Sequence, residues 1–403
     1  MSDEARGPLA GIRVVELGTM VAGPVSATLL GDFGADVIKI EQPQGGDPIR
    51  QSGAMVNGES LYWNVEGRNK RSVTIDMRRT EGQALLRKLV KHADVLVENF
   101  RPGTMARWGC DYETLKQINP ALVMLSISGY GQTGPNAQLA SYDRVALAFA
   151  GFLNITGYPD RPPVRPGTAI ADYQSALFGA FAVMIALYHR DVHNGTGQHI
   201  DTSLYETIFR FTDTMITAYD KLGVKRHRTG NSHYAASPGD HYPMKDGRYL
   251  AMTVAASDVF RRLCIAIGQP ELADDPRFAT HPARVENYDA INGIVADFVR
   301  THPVDEVLAS LKEQGVPHSL ILSVEEILED PHYAARGSIA TINHPRIGPI
   351  KMPAVFPKLS ATPPPPLRPA PTLGENTEEV LAGMLGITAA TGANANSVQS
   401  GQP

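Results

Sequence analysis

Short β-branched runs alternate with amphipathic or small-residue stretches through the first half of the chain, a rhythm that predicts strands and helices of a parallel α/β sheet. Residues 12–17 (IRVVEL) form such a run, ended by Gly18, and residues 22–41 read as a helix followed by a second strand. Further strands are expected at 73–76, 95–97 and 122–127. The helix expected to end near His92 opens on a Thr80/Gln83 capping box, and shorter helices are expected at 112–118 and 142–149. Residues 165–190 then carry Pro166-Gly167 punctuation, the single acid Asp172, and an almost unbroken apolar run over 176–188. That pattern predicts a buried helix with Asp172 at or near its first turn. Residues 195–206 add a strand running straight into a helix.

The character changes after about residue 211. A helical stretch leads into a polar, basic region over 225–254, in which Lys245-Asp246-Gly247 reads as a hairpin turn between short strands. Helices are expected at 258–267, 287–300 and 303–314, and 316–323 returns to a strand pattern. Ser323 and Glu326 form a second capping box, prolines over 363–371 make an extended connector, and 377–385 reads as a last amphipathic helix. The expected division is a large α/β domain over 1–210, a linker over 211–230, a small α+β domain over 231–300, and a second linker over 301–322. The large domain is completed by 323–386, and the composition of 387–403 cannot support a core.

With 403 residues, 43% of them hydrophobic and 20% charged, the chain has the makings of a large soluble core. A net charge of −5 gives no electrostatic platform for nucleic acid. Cys110 and Cys264 lack metal or redox spacing and fit free thiols in a reducing cytoplasm. The N-terminus has no signal pattern, and the longest apolar run falls short of the roughly 20 residues of a membrane span. A cytoplasmic protein without membrane contact is the expectation.

Several familiar chemistries are missing. The 12 histidines form no HExxH or paired-ligand motif, so no metal is expected, and neither a GxGxxG fingerprint, a P-loop nor a GxSxG elbow occurs. Two features remain. Glycine-rich loops follow the strand ends, at 42–59 and 128–135, and RNKRS (68–72) sets Lys70 and Arg71 in a basic turn that could grip phosphates or simply be solvated. Asp172 could be an N-cap, since acids are favoured there, or a carboxylate nucleophile kept ionised by the helix N-terminus. Strand-end loops rich in backbone N–H groups would stabilise the oxyanion of an acyl transfer.

The ordered set LAGIRVVELGTMVAGP (9–24), GADVIKIEQPQGGDPIR (34–50), NKRS (69–72), VENFRPG (97–103), SGYGQTGP (128–135), the Asp172 segment, GTGQHIDTSLYE (195–206) and LGENTEEVL (373–381) resembles the family III CoA-transferases. The resemblance runs from Leu9 to about Leu385. It implies a Rossmann-like large domain, a smaller α+β domain and an interlocked dimer, with itself or with a homologous chain. It also implies an acyl-CoA and a carboxylic acid as substrates, no prosthetic group, and Asp172 as the nucleophile that carries CoA between the two acids. Asn99, Phe100 and Arg107 match CoA-contacting positions, Ala22 lies on the first CoA-facing loop, and Tyr130 lies near the thioester. The chain departs from formyl-CoA transferase by having Val21 in place of an active-site glutamine, and RTGNSHYAASPG (228–239) where that enzyme has a glycine flap. The detail looks most like the branch transferring CoA from succinyl-CoA to malate, citramalate or itaconate, for whose second carboxylate Arg50, Arg165 and His233 are candidates. Two alternatives stand beside it: an α-methylacyl-CoA racemase, which needs an Asp/His pair, and a non-catalytic CoA-binding subunit.

Overall fold

In a computed structural model, which describes residues 7–193, 195–233 and 236–387, the chain forms two compact units. One comprises Met1–Phe152, Arg165–Thr217 and Ala335–Pro403, the other Leu153–Val164 and Ala218–Ala334. The expected 387–403 tail lies, from 388 on, outside the described residues, as do residues 234 and 235 of the region expected to replace the flap.

The first unit is built on six parallel strands: β1 (Arg13–Glu16), β2 (Asp36–Glu41), β3 (Lys70–Thr74), β4 (Val95–Glu98), β5 (Val123–Ser128) and β6 (His199–Ser203). Their order across the sheet is β3-β2-β1-β4-β5-β6. This is the doubly wound order, which reverses between β1 and β4, so that the loops leaving those two strands splay to opposite faces and open a crevice at the carboxyl edge. Val14, Val15, Val37, Ile38, Val95, Leu96, Val97, Val123 and Leu125 are fully buried, as strands covered on both faces must be.

Helix α1 (Ala22–Asp32) leaves β1, and α2 (Thr80–Val90) joins β3 to β4. The expected capping box is absent from α2: Thr80 is already helical, Arg79 is the cap residue, and the Gln83 amide donates to the Met77 carbonyl instead. The second box is present, with Ser323 and Glu326 each closing the other's backbone N–H. A further correction concerns RNKRS. Lys70 and Arg71 lie inside β3 rather than in a turn before it, and acids of the same sheet receive them, Glu16 of β1 for Lys70 and Asp36 of the adjacent β2 for Arg71.

After the short α3 (Asp143–Phe149), α4 (Ile170–Val192) is the long helix expected from the apolar run, but only one face of it is buried. Ala171, Ser175, Ala176, Gly179, Ala180, Val183, Ala186 and Leu187 pack inward. Gly179 has no room for a side chain, since a Cβ there would stand 2.9 Å from the Leu125 side chain of β5. Leu177, Phe181, Ile185, Tyr188 and Val192 form an outward stripe, each more than half exposed. At 23 residues α4 is long and apolar enough to cross a bilayer, correcting the shorter run read from sequence, yet its inner face serves as the core of the sheet by packing on α1 and β5. Helix α5 (Leu204–Phe209) follows β6 directly.

The second unit holds an antiparallel sheet of β7 (Gly239–Pro243), β8 (Tyr249–Thr253) and β9 (His318–Leu320), with β8 in the middle. Helices α6 (Ser257–Ala266), α7 (Tyr288–Thr301) and α8 (Val304–Glu313) cover it. Neither expected linker is featureless, for Met215–Leu222 is helical, and 301–322 contributes α8 and β9. Val307, Leu311 and Val316 join the same core as Leu250 and Phe260, so this unit reaches to Ala334 rather than stopping at 300. In the first unit α9 (Thr377–Leu385) packs against β3 and α2. Cys110 and Cys264 are buried free thiols.

Candidate active site

Where β1, β4 and β5 end, the chain encloses a cavity of about 590 Å³. Met20, Val21 and Ala22 line it from the β1 loop, Asn99 to Pro102 from the β4 loop, Ile127 to Gly129 from β5, and Asp172 from the first turn of α4. This is the topological switch point of the sheet, so backbone order alone delivers four separate segments to one place. Gly129 lets the end of β5 lie directly against Ser141, since a Cβ there would stand 2.2 Å from the Cβ of Ser141. A second cavity of about 230 Å³ shares Thr19, Pro48 and Phe100 with the first, and continues past Gln42, Arg78 and Trp108.

Asp172 is the third residue of α4, and it does not cap the helix. The carboxylate of Asp143, the first residue of α3, accepts the Ala171 N–H at 2.7 Å. The Asp172 carboxylate receives no hydrogen bond among the described residues. Burial, and then the neighbouring charge of Asp143, push its pKa up to about 7. Desolvation and a like charge thus work against the ionised form that the helix N-terminus was expected to favour.

The loops after β1 and β4 are tied together beside the cavity. Asn99 uses both ends of its carboxamide on Thr19, accepting from the N–H at 2.8 Å and donating to the carbonyl at 2.9 Å. Beyond that clamp, the N–H groups of Val21, Ala22 and Gly23 at the start of α1 have no acceptor among the described residues. The Ser128 hydroxyl, buried on the wall at the end of β5, also has none. Glu98, at the end of β4, accepts the Phe100 N–H at 2.8 Å, and its pKa is pushed up to about 7 by burial.

Of the residues singled out from sequence, Asp172, Val21, Ala22, Asn99 and Phe100 meet on this cavity. The others do not line it. Arg107 is exposed and donates to Thr104, and Tyr130 turns into an aromatic cluster with Phe149 and Tyr205. Lys70 is buried, pairing with Glu16 at 2.8 Å and donating to the Pro24 carbonyl, and Arg71 pairs with Asp36 and Glu379. Neither cation is open to a phosphate. Arg50 binds Glu41 through two nitrogens at 2.7 Å and stacks on Trp63 at 3.8 Å, so its guanidinium is committed within the fold. Arg165 is exposed and donates to the Pro166 carbonyl, while His233 belongs to the second unit, beside His241 and His318 on a cavity of about 410 Å³. The sequence reading did not single out Asp143, Ser128, Arg101, Arg78 or Trp108. Only Arg101 and Ser128 carried any signal, as parts of quoted strand-end motifs.

An unpartnered carboxylate lining the same cavity as residues with unclaimed N–H groups, beside a second pocket that shares Thr19, Pro48 and Phe100, suits acyl transfer from a long thioester. The sequence profile of CoA-transferase family III matches residues 9–377. Over 382 residues, 94% of this chain and 95% of the relative, the chain is 44% identical to succinyl-CoA–D-citramalate CoA-transferase of Chloroflexus aurantiacus. It is 42% identical over 385 residues, 95% of this chain and 90% of the relative, to the alpha subunit of succinyl-CoA–L-malate CoA-transferase of the same organism. The crystal structure of a CaiB/BaiF family protein from Brucella suis matches with a TM-score of 0.82 and 36% identity, covering 94% of this chain and all of that one.

Proposed function

From the premise that this chain belongs to CoA-transferase family III and is a CoA-transferase, we propose that it moves CoA from succinyl-CoA to a dicarboxylic acid such as malate, citramalate or itaconate, through a thioester on Asp172. The observation that carries the reading is the unpartnered Asp172 carboxylate on the switch-point cavity. The names of the two relatives support the donor and the acceptor class.

In the first step an Asp172 oxygen adds to the thioester carbonyl, and the carbon–sulfur bond breaks to leave an acyl-aspartyl anhydride and CoA thiolate. The thiolate then attacks the aspartyl carbonyl, releasing succinate and leaving CoA on Asp172. The acceptor's carboxylate repeats the sequence in reverse, so each bond broken is matched by one formed and the aspartate is regenerated. Every tetrahedral intermediate carries an oxyanion, for which the free N–H groups at the start of α1 and the Ser128 hydroxyl, on residues lining the same cavity, are candidate donors. The smaller cavity past Arg78 and Trp108 suits the nucleotide end of CoA, and Arg101 on the main wall offers a cation to a substrate anion.

The racemase alternative needs a histidine beside the aspartate, and none lines the Asp172 cavity among the described residues. The outward apolar stripe on α4 supports an interlocked dimer of two such chains, each covering the other's exposed Leu177, Phe181 and Tyr188. The test is to incubate the purified protein with succinyl-CoA and a panel of acids. New thioesters of dicarboxylates support the reading. Activity confined to monocarboxylates removes the acceptor class, and epimerisation without a new thioester removes CoA transfer.

A further inference from the structure

Two consecutive peptide groups in the loop after β1 are held at both ends by side chains from elsewhere in the fold. The Gly18 carbonyl accepts from Lys39 Nζ at 2.9 Å, and the Thr19 N–H and carbonyl are both bound by Asn99. The Met20 N–H donates to Asp47 Oδ1 at 3.0 Å. Met20 itself sits at φ 64°, in the left-handed region that a side-chain-bearing residue adopts only when its surroundings insist. Asp47 and Lys39 make one unit, since Lys39 Nζ lies 2.8 Å from Asp47 Oδ2 and 2.6 Å from Glu16 Oε1. Both side chains are buried, and Glu41 fixes Asp47 in turn by accepting its N–H at 3.0 Å.

The clamp overlaps the cavity wall, which Thr19 already lines. Met20, Val21 and Ala22 are the next residues, and all three line the Asp172 cavity. The left-handed turn at Met20 sets the direction in which the chain enters α1, and hence where the unclaimed N–H groups of Val21 and Ala22 stand. We propose that Asp47, seated on Lys39, is a positioning residue for the CoA-transfer reaction: it holds Met20 in the left-handed conformation and thereby fixes the backbone donors opposite Asp172. The proposal rests on the CoA-transfer reading given above. Asp47 and Lys39 also line the smaller cavity given above to the nucleotide end of CoA, but the role proposed for Asp47 runs through the Met20 N–H and is read in kcat rather than in KM.

The test compares Asp47→Ala with Asp47→Asn. Alanine removes the acceptor for Met20, the acceptor for the Ile49 N–H at 3.0 Å and the charge beside Lys39, whereas asparagine keeps an amide oxygen for both N–H groups. Expected for Asp47→Ala is a fall in kcat of ~10²-fold, the size of losing an oxyanion donor, with KM for acyl-CoA changed less than about threefold. Asp47→Asn should recover a substantial part of the rate, and hydrogen exchange should quicken in peptides covering 17–25 while the rest of the sheet keeps its protection. A kcat unchanged in Asp47→Ala, or a loss that follows the folded fraction with protection lowered throughout the sheet, would overturn the proposal. Failure of the CoA-transfer reading shows elsewhere, in a wild-type protein that forms no new thioester with any acid.

Discussion

Asp143, not Asp172, caps the long helix: its carboxylate accepts the Ala171 N–H at 2.7 Å, and its charge adds to the burial that lifts the Asp172 pKa to about 7. The division of labour leaves Asp172 without a hydrogen-bond commitment, which is what a nucleophile requires.

A pH dependence follows with a definite sign. The nucleophile is the carboxylate, so kcat/KM for acyl-CoA should rise with pH through about 7, far above the ordinary aspartate value of 3.8. Asp143→Asn keeps an acceptor for Ala171 but removes the charge, and the limb should move to lower pH. Stability runs the other way. A raised carboxyl pKa means that the fold favours the neutral acid, so a penalty grows as pH rises from about 4 to about 7 and is complete above it. Asp172→Asn should therefore melt higher than the wild type at pH 8, with the gap closing towards pH 4. Melting curves at both pH values check the second claim, and a pH–rate profile the first.

Arg50 separates a structural reading from a substrate reading. Its guanidinium is paired with Glu41, whose side chain is fully buried and whose pKa is held down at about 2 despite that burial, with the Arg50 hydrogen bonds and the Lys39 charge opposing desolvation. Arg50→Ala leaves that acid short of a partner, and should cost about 3–5 kcal/mol of stability by denaturant unfolding. The KM for the acceptor acid in the folded fraction should be unchanged. A large rise in that KM without loss of stability would restore Arg50 as a substrate ligand.

The fold's order was readable because strand runs, loops and helices alternate with little ambiguity, and Asp172 stood out as the one acid before a long apolar run. Partnerships were not readable, for a physical reason. Lys70, Arg71 and Arg50 look free in sequence because Glu16, Asp36 and Glu41 lie 54, 35 and 9 residues away, and become their partners only once the sheet and the loop after β2 are folded. The same holds for Asp143, 28 residues from the helix it caps. The apolar run over 176–188 hid its two faces because the inward Ala176, Gly179, Ala180, Val183, Ala186 and Leu187 and the outward Leu177, Phe181 and Ile185 all count as apolar. Met20, whose backbone conformation is set by Asp47, carries no signature of it at all.

The outward face of α4 makes a further prediction. Phe181 is 60% exposed and central to the stripe. If a second copy covers it, the wild type should sediment as a dimer at micromolar concentration, and Phe181→Glu should shift it to monomer or to aggregate. A monodisperse, active wild-type monomer would contradict the interlocked assembly.

The central claim, that Asp172 carries CoA between two acids, is tested most directly by intact-protein and peptide mass spectrometry after incubation with succinyl-CoA alone. The expected result is a CoA adduct on the Asp172 peptide, removed by hydroxylamine or by an acceptor acid, and absent from Asp172→Asn, which should still bind CoA but lose turnover. Turnover by Asp172→Asn close to the wild-type rate, or transfer that proceeds with no adduct on that peptide, would contradict it.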